Sequence, residues 1–220
     1  FQDLDLKIVW DRTLYARLLA IPGGLQRVRV YAESCGIHLS ASQLEAIRDR
    51  KRFHYTELAQ SGTIHFRPGI RRLLALLQEG GIEQWIVTSS GSASVEALLS
   101  SAQDVIPIFR GMVTADDVDQ GKPSPQGYQL ALKSSGYPAS QCLAFEDSEA
   151  GLDAARSAGL RCLLTPSPWD LNLSQRLDDA VAVFDHVGDN AQPSRCISGP
   201  PCVDGLVTLE YLKALVSLPG

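Results

Sequence analysis

The sequence predicts an α/β fold in which a Rossmann-like parallel sheet follows a helical domain at the N-terminal end. From residue 66 onward, short apolar runs alternate with stretches of helical periodicity. Such alternation is typical of right-handed βαβ units, which build a parallel sheet with helices on both faces. The residues before this point show helical periodicity alone. We therefore predict a helical domain over residues 1–63 and an α/β core over residues 64–220.

Capping residues divide the helical domain into three predicted helices. Asp11 can cap the first of them, because its carboxylate can accept from a free backbone N–H of the first turn. The second helix spans about residues 25–35, and either Ser40 or Ser42 starts a long third helix. The third helix contains the basic stretch 48–52, which we expect to be a solvated face.

The core is predicted as alternating strands and helices, beginning with a helix near Pro68. The predicted strands are residues 85–87, 106–109, 143–145, 162–164 and 180–184. The predicted helices that follow the first one are residues 94–99, 125–135, 149–158 and 206–216, and Thr208 is predicted to start the last of them. Residues 186–204 are rich in Gly, Pro, Ser and Asn, so they are expected to form an irregular excursion.

Composition restricts the classes of function. The chain has 220 residues, of which 45% are hydrophobic, so it can bury a sizeable core. Its net charge of −5 argues against nucleic acid or an anionic membrane as a partner. The sequence does not indicate an oligomeric state. Five scattered cysteines indicate reduced thiols. With neither a signal peptide nor a bilayer-length apolar run in this sequence, we expect a cytoplasmic protein, or a stromal one in a photosynthetic eukaryote.

Polar clusters follow three of the predicted strands. The first is Thr-Ser-Ser-Gly-Ser at 88–92, whose hydroxyls and backbone N–H groups can bind an anion at a helix start. The second is Gly-Lys-Pro-Ser-Pro at 121–125, which holds Lys122 in a fixed loop. The third is the pair Glu146 and Asp147. Taken alone, each cluster could equally well be a ligand site or have a purely structural role, as a helix cap or a surface turn.

The expected convergence of the three clusters favours a ligand-binding site over three separate structural roles. The carboxyl ends of parallel strands meet at one edge of a sheet, so the three clusters are expected to lie together. Thr88 and Lys122 then suit a phosphoryl group, and Glu146 and Asp147 suit a divalent cation. Mg²⁺ fits best, because it prefers carboxylate oxygens, water and substrate phosphate. The predicted ligand is a small phosphorylated metabolite.

The three clusters resemble motifs II, III and IV of the haloacid dehalogenase (HAD) superfamily, over about residues 68–165. The motif IV segment is the most specific, and reads Phe-Glu-Asp-Ser-x-x-Gly-x-x-Ala-Ala-x-x-Ala-Gly at 145–159. Within the superfamily, the chain is similar to the β-phosphoglucomutase and phosphoglycolate phosphatase group. Its segment 10–27 resembles the helical cap of CbbY-like phosphatases, which dephosphorylate xylulose 1,5-bisphosphate.

The resemblance implies a role for each predicted core residue. Thr88 and Lys122 would be the catalytic hydroxyl and lysine that contact the transferring phosphate. The backbone amide of Ser89 would add a further donor to this phosphate. Asp147, with Glu146 beside it, would hold Mg²⁺.

Two departures from the family pattern bear on the substrate and on the nucleophile. Gly24 and Arg27 would recognise the distal part of the substrate, but Leu25 stands where CbbY-like caps usually carry a lysine. The family's nucleophile and general acid belong to an Asp-x-Asp-Gly-Thr motif on the first core strand, and the sequence contains no such motif. We expect this strand to lie upstream of Phe1, which leaves the predicted sheet open at its centre.

The predicted function is hydrolysis of a small phosphorylated sugar, a bisphosphate being one candidate, by a Mg²⁺-dependent HAD-type phosphatase through an aspartyl-phosphate intermediate. One alternative is a β-phosphoglucomutase-like phosphomutase, which would favour transfer to a second sugar hydroxyl over transfer to water. The other is a catalytically inactive homologue that binds a phosphorylated ligand or a protein. The lack of an Asp-x-Asp-Gly-Thr motif in the sequence motivates this last alternative.

Overall fold

A run of helices precedes an alternating series of strands and helices. The computed structural model describes residues 1–19, 21, 23–100, 102, 104–167, 173 and 176–218. The helices are α1 (Arg12–Leu18), α2 (Gly24–Ser34), α3 (Ala41–Gln60), α4 (Ile70–Glu79), α5 (Ser92–Ser100), α6 (Gln126–Ser135), α7 (Glu149–Ser157) and α8 (Leu209–Val216). The strands are β1 (Gln84–Val87), β2 (Phe109–Val113), β3 (Leu143–Glu146), β4 (Arg161–Leu164), β5 (Ala182–Phe184) and β6 (Cys196–Ser198).

Side-chain caps fix the starts of the N-terminal helices. The carboxylate of Asp11 accepts from the backbone N–H of Leu14 at 2.7 Å, which confirms the predicted start of α1. Of the two serines considered for α3, Ser40 is the cap, and it forms a reciprocal capping box with Gln43. Helix α3 then packs against α5, which joins the helical part to the α/β part. Within the described ranges, every helix is too short or too polar to cross a bilayer.

The described strands form two sheets. Strands β1 and β2 pair in parallel, and Val87 lies opposite Val113 at their carboxyl ends. The second sheet has the order β3-β4-β5-β6, in which the first three strands are parallel and β6 is antiparallel. The division falls between β1 and β3, so the described strands agree with the expectation of a parallel sheet open at its centre.

The core of the larger sheet lies on both of its faces. Neighbouring residues Leu163 and Leu164 of β4 are fully buried and belong to different hydrophobic clusters. Leu164 packs with Leu152 of α7, and Leu163 packs with Phe184 of β5 and the residues around it. Burial on both faces is the environment expected of a parallel strand covered by helices.

Two segments differ most from the sequence prediction, and the ends of the other elements agree with it to within about three residues. The strand predicted at 106–109 is wrong, since residues 106–108 form a 3₁₀ turn and β2 begins at Phe109. Pro107 has no N–H to donate to a ladder, which explains the shift. The excursion predicted at 186–204 contains β6, a strand of three residues that is too short to show a period. The predicted role of Thr208 at the start of the last helix is confirmed, since its hydroxyl caps α8 by accepting from the N–H of Tyr211, and residues 206–207 stay outside the helix.

The start of α4 lies in direct contact with the segment after β5. Gly69 has a φ of +81°, and a Cβ there would lie 2.0 Å from the carbonyl oxygen of Gly188. The backbone N–H of Gly69 donates to the carboxylate of Asp189 at 3.1 Å. Arg72 donates to the carbonyl groups of Val187 and Gly188. This part of the excursion therefore holds the N-terminal end of α4.

We expect Gly69→Ala to lower the free energy of unfolding more than Gly81→Ala does. Gly81 is the control, since it also has a positive φ but a Cβ there would meet no described atom within 4 Å. The positive φ alone should cost each variant about 1–2 kcal/mol. Gly69→Ala must also displace the backbone at Gly188, so urea denaturation should show a further loss of at least about 1 kcal/mol. Equal losses in the two variants would contradict the close approach.

Candidate active site

A nearly buried lysine links the carboxyl ends of β1 and β3. The ammonium of Lys122 donates to the carbonyl oxygen of Val87 at 2.9 Å and forms an ion pair with the carboxylate of Glu146. The side chains of Lys122 and Glu146 are only 13% and 6% exposed. Because Val87 ends β1 and Glu146 ends β3, the ion pair spans the division between the two sheets.

Glu146 is held by two further neighbours. The hydroxyl of Tyr128 donates to the same carboxylate, and the Lys122 ammonium lies 5.1 Å from the centre of the Tyr128 ring. Burial, and then the Glu146 charge, raises the pKa of Tyr128 well above its usual value, so the hydroxyl stays protonated as a donor. A Cβ on Gly151 would lie 1.9 Å from the Glu146 carboxylate, so this helix position must be glycine.

The two adjacent carboxylates have different surroundings. Glu146 is engaged by Lys122 and Tyr128, whereas Asp147 is exposed and its side chain has no hydrogen-bond or ionic partner within the described ranges. The main-chain carbonyl of Asp147 accepts from Ser167 N–H at 2.8 Å, which fixes the backbone from which this carboxylate extends.

Asp147 is the better match to a Mg²⁺ ligand. In the described part of the chain, no cluster of three or more His, Cys, Asp or Glu side chains could hold a metal ion. Mg²⁺ commonly uses one or two protein carboxylates and completes its shell with water and substrate phosphate. The exposed carboxylate of Asp147 fits that role, while Glu146 already balances the charge of Lys122. Both assignments remain predictions.

Thr88 lies beside Lys122, as predicted. Both residues line one small cavity of about 10 Å³ at the end of β1. The backbone N–H of Thr88 donates to the carbonyl of Val113 at 2.9 Å, and its hydroxyl accepts from Ser90 N–H at 3.1 Å. The hydroxyl proton of Thr88 thus remains free to donate, and the following residue, Ser89, is exposed.

A carboxylate of the protein occupies the N-terminus of α5. The backbone N–H and the hydroxyl of Ser92 both donate to Asp116, at 2.8 and 2.7 Å. These bonds hold the pKa of Asp116 below its usual value, and the charge of Arg52 on α3 contributes less. The predicted anion site at 88–92 therefore has fewer free hydrogen-bond donors than the sequence suggests, because the N–H and the hydroxyl of Ser92 already bond to Asp116. Sequence reasoning missed Asp116, which lies on a different loop and belongs to none of the three motifs.

The cap residues Gly24 and Arg27 lie near Lys51, a member of the basic stretch predicted to be a solvated face. A Cβ on Gly24 would lie 2.9 Å from the ammonium of Lys51. Lys51 is exposed at the surface, but partial desolvation, and then the charge of Arg27, lowers its pKa. Arg27 itself donates to the carbonyl groups of Leu18 and Ile21 at 2.8 and 3.2 Å. Only the folding of α2 against α3 reveals the position of Lys51.

The predicted residues thus form two groups. Thr88, Lys122 and Glu146 meet at the strand ends, with Asp147 adjoining them. Gly24 and Arg27 belong to the second group, around Lys51 on the helical part. The two groups lie on different parts of the chain, which meet where α3 rests on α5.

Comparison with known proteins supports the arrangement of motifs. The family of haloacid dehalogenase-like hydrolases matches residues 27–159, which is more than half of the chain. CbbY (plasmid) of Cupriavidus necator is 34% identical over 203 residues, which cover 88% of this chain and 78% of that protein. CbbY of Rhodobacter capsulatus is 36% identical over 162 residues, which cover 73% of this chain and 71% of that protein.

A solved structure shows the same similarity in three dimensions. The crystal structure of a CbbY mutant from Rhodobacter sphaeroides in complex with xylulose 1,5-bisphosphate superposes with a TM-score of 0.76 at 30% identity. The superposition covers 87% of this chain and 86% of that chain. The fold, the three strand-end motifs and these relatives together show that the chain belongs to the haloacid dehalogenase-like hydrolase family.

Proposed function

We propose that the protein is a Mg²⁺-dependent phosphatase that hydrolyses a small phosphorylated sugar. The observation that carries this proposal is the position of the Lys122 ammonium between Val87 and Glu146. An ammonium has three donors, and these contacts use two of them. The third would be available to a phosphate oxygen bound beside Thr88, which lines the same small cavity as Lys122.

The residues at the strand ends would act mainly by electrostatic stabilisation. Lys122 and the Thr88 hydroxyl would offset the negative charge that grows on the phosphoryl oxygens in the transition state. The backbone N–H of Ser89, an exposed residue, would add a donor beside them. The aspartyl-phosphate route also requires a carboxylate nucleophile, which we expect from an Asp-x-Asp motif outside the 220 residues of this sequence.

Asp147 would be the Mg²⁺ ligand supplied by this segment. Its carboxylate is exposed, and its backbone is held by Ser167 at the carboxyl end of the sheet. Mg²⁺, when bound, supplies positive charge to the substrate phosphate and helps to orient it. Glu146 would not be a metal ligand, because its carboxylate forms the ion pair that holds Lys122 in place.

The second group of residues supports a substrate with a second anionic group. Lys51 lies near the cation Arg27, and in the described ranges no carboxylate pairs with its ammonium. Lys51 is an exposed residue whose ammonium is only partly desolvated, and a bound anion would relieve both this desolvation and the repulsion from Arg27. Lys51 would thus supply the cation that Leu25 does not. The xylulose 1,5-bisphosphate bound in the CbbY mutant is a substrate class with two such groups.

The full-length protein should release phosphate from sugar phosphates only when Mg²⁺ is present. Asp147→Asn should raise the Mg²⁺ concentration needed for half-maximal activity by at least about tenfold, because a ligand charge is lost. Asp119→Asn is the control, since Asp119 is also exposed and lies close to Lys122 in the sequence. Steady-state phosphate release at varied Mg²⁺ measures both effects. If the full-length protein hydrolyses none of a broad panel of sugar phosphates, the proposal is wrong.

The preference for a sugar bisphosphate over the monophosphate should depend on pH through Lys51. Because the pKa of Lys51 is lowered, its charge is lost as pH rises through a value below the usual lysine pKa of about 10.4. Above about pH 7.5 both phosphates are already fully ionised. The ratio of kcat/KM for the bisphosphate to kcat/KM for the monophosphate should therefore decrease as the pH is raised from neutral to alkaline.

Lys51→Gln should remove both this preference and its pH dependence, while Arg48→Gln, on the same helix, should keep them. A ratio that stays constant with pH in the wild type would rule out Lys51 as the distal cation. Retention of the preference by Lys51→Gln would rule it out equally.

A further inference from the structure

Arg67 bonds to the ends of two neighbouring strands. Its guanidinium donates through one nitrogen to the carbonyl of Thr165 at 2.5 Å and to the Thr165 hydroxyl at 3.2 Å. The other nitrogen donates to the carbonyl groups of Pro166, at 3.2 Å, and Asp185. These acceptors directly follow β4 and β5. Arg67 itself lies in the segment between the last cap helix, α3, and the first core helix, α4.

The guanidinium satisfies carbonyl groups that the sheet leaves without partners. A strand pairs only along its own length, so carbonyl groups just beyond its carboxyl end need another donor. The planar fork of arginine can reach several of them at once, which the single ammonium of a lysine cannot do with the same geometry. Arg67 therefore fixes the junction between the helical and α/β parts to the carboxyl edge of the sheet.

The segment bound by Arg67 also holds the backbone of Asp147. Thr165 N–H donates to the carbonyl of Glu146, and Ser167 N–H donates to the carbonyl of Asp147, each at 2.8 Å. The segment 165–167 thus accepts hydrogen bonds from the guanidinium of Arg67 and donates hydrogen bonds to the main-chain carbonyl groups of Glu146 and Asp147. Only this short piece of backbone lies between Arg67 and Asp147.

We propose that Arg67 is a positioning residue that couples the cap–core junction to the Asp147 backbone. Movement of the cap relative to the core would act on residues 165–167 through the guanidinium, and through them on the carboxylate of Asp147. The coupling itself needs only these hydrogen bonds. Its relevance to Mg²⁺ rests on the proposed function, in which Asp147 is the metal ligand.

Arg72 provides a matched control. It also lies at the start of the core and donates to three main-chain carbonyl groups, those of Val187, Gly188 and Val207. Arg67 and Arg72 are both partly buried, and each would lose a similar set of charge-assisted bonds on substitution. No hydrogen bond within the described ranges joins the carbonyl partners of Arg72 to Glu146 or Asp147.

The experiment compares Arg67→Gln, Arg67→Lys and Arg72→Gln in the full-length protein. Native-state hydrogen exchange would follow the amides of Thr165 and Ser167, and calorimetric titration with Mg²⁺ would follow metal affinity. We expect Arg67→Gln to speed exchange of both amides by roughly tenfold or more, since charge-assisted bonds are lost. It should also weaken Mg²⁺ binding several-fold. Arg67→Lys, which keeps the charge, should give intermediate values, and Arg72→Gln should change neither quantity beyond its effect on global stability.

Unchanged exchange at Thr165 and Ser167 in Arg67→Gln would overturn the proposal. Equal effects of Arg67→Gln and Arg72→Gln would also overturn it, because the role would then be structural only. The exchange measurement needs no turnover, so it separates this proposal from the proposed function. A wild-type protein that fails to hydrolyse sugar phosphates, with exchange still accelerated in Arg67→Gln, would refute the function and leave the coupling intact.

Discussion

The ion pair between Lys122 and Glu146 is the constraint on which the candidate site depends. Burying two charges costs several kcal/mol per ion, and their attraction offsets this only when the remaining donors and acceptors are also satisfied. Here the Val87 carbonyl takes one ammonium proton and the Tyr128 hydroxyl supplies a bond to the carboxylate. The pair connects the end of β3, through Glu146, with the end of β1, through Val87, and with α6, through Tyr128.

The candidate chemistry follows from this arrangement. Because Lys122 is held at the end of β1, it lies next to Thr88, where we propose that its remaining donor binds a phosphate. Because Glu146 points toward Lys122, the next residue, Asp147, projects to the exposed side and is free for a cation. In the proposed function, motif IV therefore combines two roles on adjacent residues: Glu146 holds Lys122, which would bind the phosphate, and Asp147 would bind Mg²⁺.

Local features of the sequence predicted most of the elements and the strand-end motifs. Caps such as Asp11 and Ser40 act on neighbouring residues, so a short window of sequence reveals them. The direction of the Glu146 side chain could not be predicted in this way, because Glu146 ends β3 and its partner Tyr128 lies on helix α6. Lys51 and Asp116 were missed for the same reason: Lys51 comes near Gly24, and Asp116 bonds to Ser92, only when distant parts of the chain pack together.

A double-mutant cycle on the free energy of unfolding tests the central claim most directly. It compares Lys122→Met, Glu146→Gln and the double variant in the full-length protein by urea denaturation. Removal of one partner leaves the other charge or dipole buried, so each single variant should lose about 3–5 kcal/mol. The double variant should lose clearly less than the sum, with a coupling energy of about 2 kcal/mol or more. Additivity within about 0.5 kcal/mol would show that the two residues do not interact and would contradict the account.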